Sequence, residues 1–260
     1  MGYEFIQVER QGAVTTVTLN RPEVMNALHI PMHQELQAAF DDFADDDQQQ
    51  VCIVTGASER AFCAGSDLKA VAAGARGGYP RSGYGGLVER FDLDKPVIAA
   101  VNGVCLGGGF ELALACDLII AAQSASFGLP EPRVGGIALG GGVHRLVRQI
   151  GQKKAMGLLL TGRRISSAEA SDLGLVNEVA PDGGALAAAQ RWAALILECA
   201  PLSIRATKEA ALRGLDEPSL ADAMKRQASY PAYVLWAKSE DRLEGSRAFA
   251  EKRPPSWKFR

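Results

Sequence analysis

The stretch from Lys95 to Leu118, KPVIAAVNGVCLGGGFELALACDL, puts one glutamate, Glu111, into apolar sequence directly after three glycines. Val97 to Val101 is an unbroken apolar run that predicts a buried strand, and Phe110 to Cys116 is an Ala- and Leu-rich run that predicts a helix buried on most sides. An ionised glutamate is expensive in such a helix. Gly107, Gly108 and Gly109 fall where the helix begins, so their N–H groups lack intrahelical partners and no side chain obstructs approach to them. A helix start of this kind favours negative charge. An oxyanion hole needs such donors beside an acid/base group. A glycine-rich tight turn, with a glutamate stabilised by the helix dipole, fits the same residues, and local sequence leaves both readings open.

A chain of 260 residues can bury a sizeable core, here expected as one α/β domain with a smaller helical appendage. Lys plus Arg number 28 and Asp plus Glu 30, a formal net charge of −2 that supplies no global basic field for nucleic acid. The five cysteines (Cys52, Cys63, Cys105, Cys116 and Cys199) are odd in number and show no metal-ligand spacing. They read as small core residues in a reducing compartment, with no zinc site. Met1 to Arg10 has acidic residues and no signal-length apolar run, and no stretch reaches transmembrane length. A cytoplasmic protein with neither membrane nor nucleic-acid partner is expected.

Phe5 to Val8 and Val14 to Leu19 predict a hairpin around Gln11-Gly12, ended by Asn20-Arg21-Pro22. Pro31 to Phe43 spaces Leu36, Phe40 and Phe43 as a helix does, with the proline near its first turn. Val51 to Thr55, closed by Gly56, and Cys116 to Ala121 predict further buried strands. Ser166-Ser167-Ala168-Glu169 is a capping box and Gly174 a stop, bracketing a short helix before Leu175-Val176. Strands thus alternate with helices through residues 1–184. From Ala185 to the end, residues 185–260, the pattern is almost wholly helical, with Pro201 and Pro231 as breaks. That region carries Trp192, Leu195, Tyr233 and Trp236, more large apolar side chains than a small appendage needs to cover itself, which predicts self-association.

Phe62-Cys63-Ala64-Gly65-Ser66-Asp67-Leu68 is a small-residue turn between a strand and a helix, again with uncrowded backbone donors, of which the N–H of Ser66 is the notable one. The motif is not the nucleophile elbow, and His29, His33 and His144 have no triad signature. His29 and His33 are expected on a helix surface, while His144, after Gly140-Gly141-Gly142, either lines a pocket or packs. Between Gly74 and Gly86 six glycines mix with Arg76, Tyr79, Arg81 and Tyr84, as a mobile loop over a site or a plain surface linker would. In Phe127-Gly128-Leu129-Pro130-Glu131-Pro132 a second glutamate, Glu131, is clamped between prolines. That suits a positioned acid, although an exposed loop glutamate is the commoner case. Arg133, two residues on, is expected to favour the ionised form of Glu131.

The order Ala64-Gly65-Ser66-Asp67, then Gly107-Gly108-Gly109-Phe110-Glu111, then Phe127-Gly128-Leu129-Pro130-Glu131 resembles the crotonase, or enoyl-CoA hydratase/isomerase, superfamily. The resemblance begins at Asn20-Arg21-Pro22 with Met25-Asn26-Ala27-Leu28, runs through Lys95–Gly103 and Thr161-Gly162-Arg163-Arg164-Ile165, and reaches Phe249-Ala250-Glu251-Lys252-Arg253. It implies an α/β fold, a crotonase-type spiral of ββα units with a C-terminal helical trimerisation region, the trimers commonly paired into hexamers. It implies catalysis by Glu111 and Glu131, with the backbone N–H groups of Ser66 and Gly108 as oxyanion donors. Coenzyme A contacts map onto Met25, Ala27, Ala64, Asp67 and Leu68, with Phe249 and Lys252 reaching in from a neighbouring subunit. The family's usual Pro-Gly pair, whose glycine helps hold the catalytic water, is Ala138-Leu139 here.

Two such carboxylates imply an enoyl-CoA hydratase, a hydro-lyase of fatty-acid metabolism, acting on an acyl-CoA without metal or redox cofactor. Asp92-Leu93-Asp94-Lys95-Pro96, Ser239-Glu240-Asp241 and the glycine-rich loop resemble the carnitinyl-CoA dehydratase branch, which is one alternative; an isomerase of the same fold is another. A third is a non-catalytic CoA- or RNA-binding homologue using the basic tail Lys252, Arg253, Lys258 and Arg260.

Overall fold

Apolar runs become strands and helical spacings become helices in the structure, a computed structural model that describes residues 2–72, 74 and 78–258. β1 (Ile6–Gln11) and β2 (Val14–Leu19) form the antiparallel hairpin, with β1 reaching further into the turn than expected. α1 (Ile30–Asp45) carries Pro31 in its first turn and buries Leu36, Phe40 and Phe43. β3 (Val51–Gly56), β4 (Ala61–Cys63) and α2 (Leu68–Ala72) make a second ββα unit. β5 (Val97–Val101), β6 (Val104–Leu106) and α3 (Gly108–Ala115) make a third. β7 (Leu118–Ala122), β8 (Ser126–Gly128) and α4 (Gly142–Ile150) make a fourth. α5 (Gln152–Leu159), β9 (Ile165–Ser166), α6 (Ser167–Asp172) and β10 (Glu178–Ala180) follow. The C-terminal helices are α7 (Ala185–Leu197), α8 (Pro201–Gly214), α9 (Leu220–Arg226), α10 (Pro231–Lys238) and α11 (Asp241–Ala250).

The hairpin β1-β2 joins one sheet, and the second, third and fourth units each contribute one strand to each of two sheets, ordered β1-β2-β3-β5-β7-β10 and β4-β6-β8-β9. This is the crotonase spiral. All pairings are parallel except β1 with β2 and β8 with β9. β3 and β5 are buried at every position, as parallel strands covered on both faces must be. Strand periodicity divides them between two cores. Cys52 and Val54 face the main core, shared with the second sheet, α1 and α3, whereas Val51 and Ile53 face Ala188, Ala189 and Ala193 of α7.

The small residues of α7 thus let it lie on the outer face of the larger sheet. α8 is tied to the same sheet by the Arg205–Asp94 and Lys208–Asp117 ion pairs, at 2.9 and 2.7 Å. α10 packs across α8, and α11 follows against α10. Pro201 and Pro231 sit in the first turns of α8 and α10, where a missing N–H costs nothing. Ser166 caps α6 by accepting the Glu169 N–H at 3.2 Å, and Gly174 ends that segment at φ +84°. Among the described residues no helix is long and apolar enough to cross a membrane.

Candidate active site

The second sheet brings the site together. β4, β6 and β8 are parallel neighbours, so their carboxyl ends lie side by side, with Cys63 opposite Cys105 and Leu106 opposite Gly128. The chain leaves these three ends into Ala64–Asp67, Gly107–Glu111 and Leu129–Glu131. Segments well separated in sequence therefore meet along one edge.

Ser66 forms a lone parallel bridge with Leu28, whose N–H donates to Gly65 O at 2.8 Å and whose carbonyl accepts from Asp67 N at 2.9 Å. Bonding to residues 65 and 67 turns the N–H of Ser66 to the opposite side. Gly65, at φ +97°, permits the close approach: a Cβ there would lie 2.9 Å from Leu106 O and 3.2 Å from Gly108 N. Gly107 caps α3, and Gly108 is its first helical residue. Neither the Ser66 nor the Gly108 N–H has a hydrogen-bond partner among the described residues. Two unpartnered donors thus lie near one another, with the Tyr84 side chain packed against both residues.

Glu111 lies one turn into α3 and is 4% exposed. Its Oε1 accepts the Gly142 N–H at 2.9 Å, and the Gly140 N–H also serves this carboxylate. Burial, with a smaller push from Glu131, raises its pKa to about 7 against the opposing effect of those two amides. Glycines are required around it: a Cβ on Gly140 or Gly142 would come within 2.7 or 2.9 Å of its oxygens. Glu131 opens a short 3₁₀ turn, Glu131–Val134, whose flanking prolines restrict the backbone. Its Oε2 is buried with no hydrogen-bond partner among the described residues, and burial raises its pKa. Its Oε1 would be 3.0 Å from a Cβ on Gly107, so both carboxylates line the same helix start.

Arg133 does not act on Glu131 as expected. Its Nε donates to Thr161 O at 3.1 Å, which directs the guanidinium away from the carboxylate. His33 is buried rather than on a helix surface, because the segment Ser82–Val88 lies over that face of α1. His29 precedes α1, half-buried edge-on to Phe5. His144 is exposed on α4 rather than packed in the core. The described part of the glycine-rich segment is not a surface linker, since Tyr84, Gly85 and Gly86 are buried; Arg76 lies outside the described residues.

The residues carrying the proposed coenzyme contacts surround the Ser66 turn. Met25 and Asn26 adopt left-handed backbone at φ 55° and 54°. Met25 O accepts the Ala64 N–H at 3.0 Å, and the fully buried Asn26 amide ties Ala57 O, Ala61 O and Arg21 N together. Arg21 in turn holds Ala27 O and Asp67. The Asp67 carboxylate also caps α2 through the Ala70 N–H, so it is occupied within the protein. Leu68 is exposed beside it.

Residues 9–260 match the family model described as enoyl-CoA hydratase/isomerase. The chain belongs to the enoyl-CoA hydratase/isomerase family. It is 42% identical to the carnitinyl-CoA dehydratase of Salmonella typhi over 261 residues, 99% of each chain. It is equally identical to that of Proteus mirabilis strain HI4320 over 259 residues, 98% of each. Among solved structures, an enoyl-CoA hydratase from Mycobacterium tuberculosis H37Rv superposes with a TM-score of 0.92 at 39% identity, covering 98% of this chain and 99% of that one.

In this enoyl-CoA hydratase/isomerase family enzyme, a single chain does not bring every expected residue to the site. Phe249 is 88% exposed on α11, and Lys252 follows in an exposed turn at φ 53°. The basic tail is not a free cationic patch either, because Arg253 is engaged by Glu244 and Glu251. Arg260 lies outside the described residues. In the sequence Gly140 to Gly142 signal only a turn before His144; their service to Glu111 comes from the fold. Arg145 carries no local sequence signal either: its guanidinium reaches Val88 O at 2.6 Å and backs the Gly141 turn.

Proposed function

We propose that the enzyme reversibly adds water to the double bond of a 2-enoyl-CoA, with Glu111 and Glu131 as acid–base pair and the Ser66 and Gly108 N–H groups as oxyanion donors. The convergence of the buried Glu111, the half-buried Glu131 and two unpartnered N–H groups on one sheet edge carries this reading. As water attacks the β-carbon it gives a proton to Glu111, and the α-carbon takes a proton from Glu131. Negative charge passes through the thioester oxygen, where the two amides stabilise the enolate more than the ground-state carbonyl. The amides of Gly140 and Gly142 favour charge on Glu111, while the partnerless Oε2 of Glu131 favours a protonated acid. Dehydration reverses each step. The reaction is redox-neutral, and this reading includes no metal or redox cofactor; coenzyme A enters as part of the substrate.

The rate of hydration is expected to depend on pH, rising as Glu111 loses its proton around 7 and becomes the base and falling as Glu131 loses the proton it must deliver. The same shift has the opposite sign for stability. A carboxyl raised from 4.5 to about 7 binds its proton more tightly when folded, so its contribution to stability declines as pH rises across that window. A kcat/KM profile flat between about pH 5.5 and 8.5 would contradict the role of Glu111 as base.

The carnitinyl-CoA dehydratase relatives favour a second reading with the same chemistry and a different acyl group. Comparison of crotonyl-CoA with crotonobetainyl-CoA separates the two. A kcat/KM advantage of about tenfold or more for the trimethylammonium substrate selects the second.

The proposal places coenzyme A along Met25–Ala27 and Ala64, beside Asp67 and Leu68. It assigns residues 185–260 to assembly of a trimer, or a hexamer of paired trimers, with Phe249 and Lys252 completing a neighbour's site. Exposed Leu212, Leu215, Leu220, Leu243 and Phe249 support assembly, and the five free cysteines support a cytoplasmic setting. Sedimentation is expected to show a trimer or hexamer, and Lys252→Ala to raise KM for an acyl-CoA while sparing kcat. A monomer at micromolar concentration, or an equal effect on a thioester lacking the nucleotide, would refute this arrangement.

A further inference from the structure

The geometry points to Tyr84 as a third donor to the thioester oxygen, a phenol supplementing the two backbone amides and resting on the oxyanion-hole reading above. Tyr84 is 5% exposed, and its Oη lies 3.0 Å from Ser66 Oγ. Its ring covers Gly108 so closely that a Cβ there would fall 2.2 Å from Oη and Cζ. One hydroxyl therefore touches both residues whose N–H groups form the donor pair.

Two hydroxyls hold two protons and share one hydrogen bond, so one proton remains for a third acceptor. The phenol is the more acidic of the two and makes the stronger bond to a developing enolate. Ser66 then donates to Tyr84 Oη and aligns the phenolic proton. Burial holds the Tyr84 pKa well above its ordinary value, which keeps that proton in place.

The phenol is also built into position. Gly83, Gly85 and Gly86 all have positive φ, and a Cβ on Gly86 would strike Gln37 N of α1 at 2.4 Å. Gln37 Oε1 accepts from the Ser82 N–H and hydroxyl, and His33 Nδ1 accepts the Gly85 N–H at 2.9 Å. An Nδ1 that accepts must be unprotonated, and burial lowers the His33 pKa to about 4. Its ring meets Tyr84 at 4.5 Å.

Tyr84→Phe keeps the ring and removes the hydroxyl. It is expected to lower kcat by about 10²-fold, the lower end for loss of one oxyanion donor, while KM changes by less than about threefold. Ser66→Ala should lower kcat less, and the double variant should match Tyr84→Phe, because Ser66 acts through the phenol. A dimethylaminocinnamoyl-CoA gives a direct readout, since its absorption moves to longer wavelength as hydrogen bonds polarise the thioester carbonyl. The wild-type enzyme should shift the band strongly, Ser66→Ala less and Tyr84→Phe least. A wild-type shift kept in full by both variants overturns the role of Tyr84 and leaves the amide pair standing. No shift with the wild-type enzyme overturns both.

Discussion

Glu111→Gln and Glu131→Gln are each expected to lower kcat for 2-enoyl-CoA hydration by at least about 10²-fold, the usual contribution of general acid–base catalysis, with substrate binding largely kept. Glutamine preserves the shape of the side chain but cannot cycle a proton. At position 111 its carbonyl can still accept the Gly142 N–H that the carboxylate now accepts at 2.9 Å, so helix α3 and the glycine turn should survive. At position 131 it removes a proton source whose Oε2 has no partner among the described residues to replace it. The double variant should be little worse than either single one, because both acids serve one transfer. Stopped assays of the conjugated-thioester absorbance measure all three. Near-full activity in Glu131→Gln alone would mean that one carboxylate suffices, as an isomerase or hydrolase would require.

Gly108→Ala should be equally damaging for a different reason. The added methyl would sit 2.2 Å from the Tyr84 hydroxyl, on the residue whose N–H is a proposed oxyanion donor. Either the tyrosine or the start of α3 has to move. Such overpacking costs about 1–3 kcal/mol, which for a chain of this size lowers Tm by several degrees. Displacing the donor should reduce kcat by about 10²-fold or more. Adding Tyr84→Ala makes room for the methyl and should recover part of the lost Tm, although not the rate. Unchanged Tm and kcat in Gly108→Ala would show that neither the close packing nor the amide position matters.

Much of the fold was legible because parallel strands covered on both faces leave continuous apolar runs, as at Val51–Thr55 and Val97–Val101. The helix at Glu111 was legible for a related reason, a charge being conspicuous in such sequence. Cys116 to Ala121 was displaced because Cys116 and Asp117 turn the chain before β7 begins at Leu118. What stayed hidden depends on distant partners. His33 occupies an ordinary helical position and is buried only because the Ser82–Val88 segment, some 50 residues on, crosses α1. Tyr84 looked like part of a loose glycine-rich loop, yet those glycines have the backbone conformations that hold it against α1. Arg133 is close to Glu131 in sequence, but the carbonyl of Thr161 decides where it points. Local pattern drew attention to Glu111 and the glycines before it, and the resemblance supplied the pairing with Glu131 and Ser66; the residues that surround them come from the β4-β6-β8 edge and the Gly140–Gly142 turn.

Incubating the purified enzyme with a 2-enoyl-CoA in heavy-oxygen water and weighing the product tests the central claim most directly. Hydration across one strand edge by Glu111 and Glu131 predicts a single heavy oxygen at the β-carbon, with the thioester intact, and its loss when the 3-hydroxyacyl-CoA is returned to ordinary water. Heavy oxygen in a released carboxylate, or a shifted double bond with no oxygen added, would contradict it.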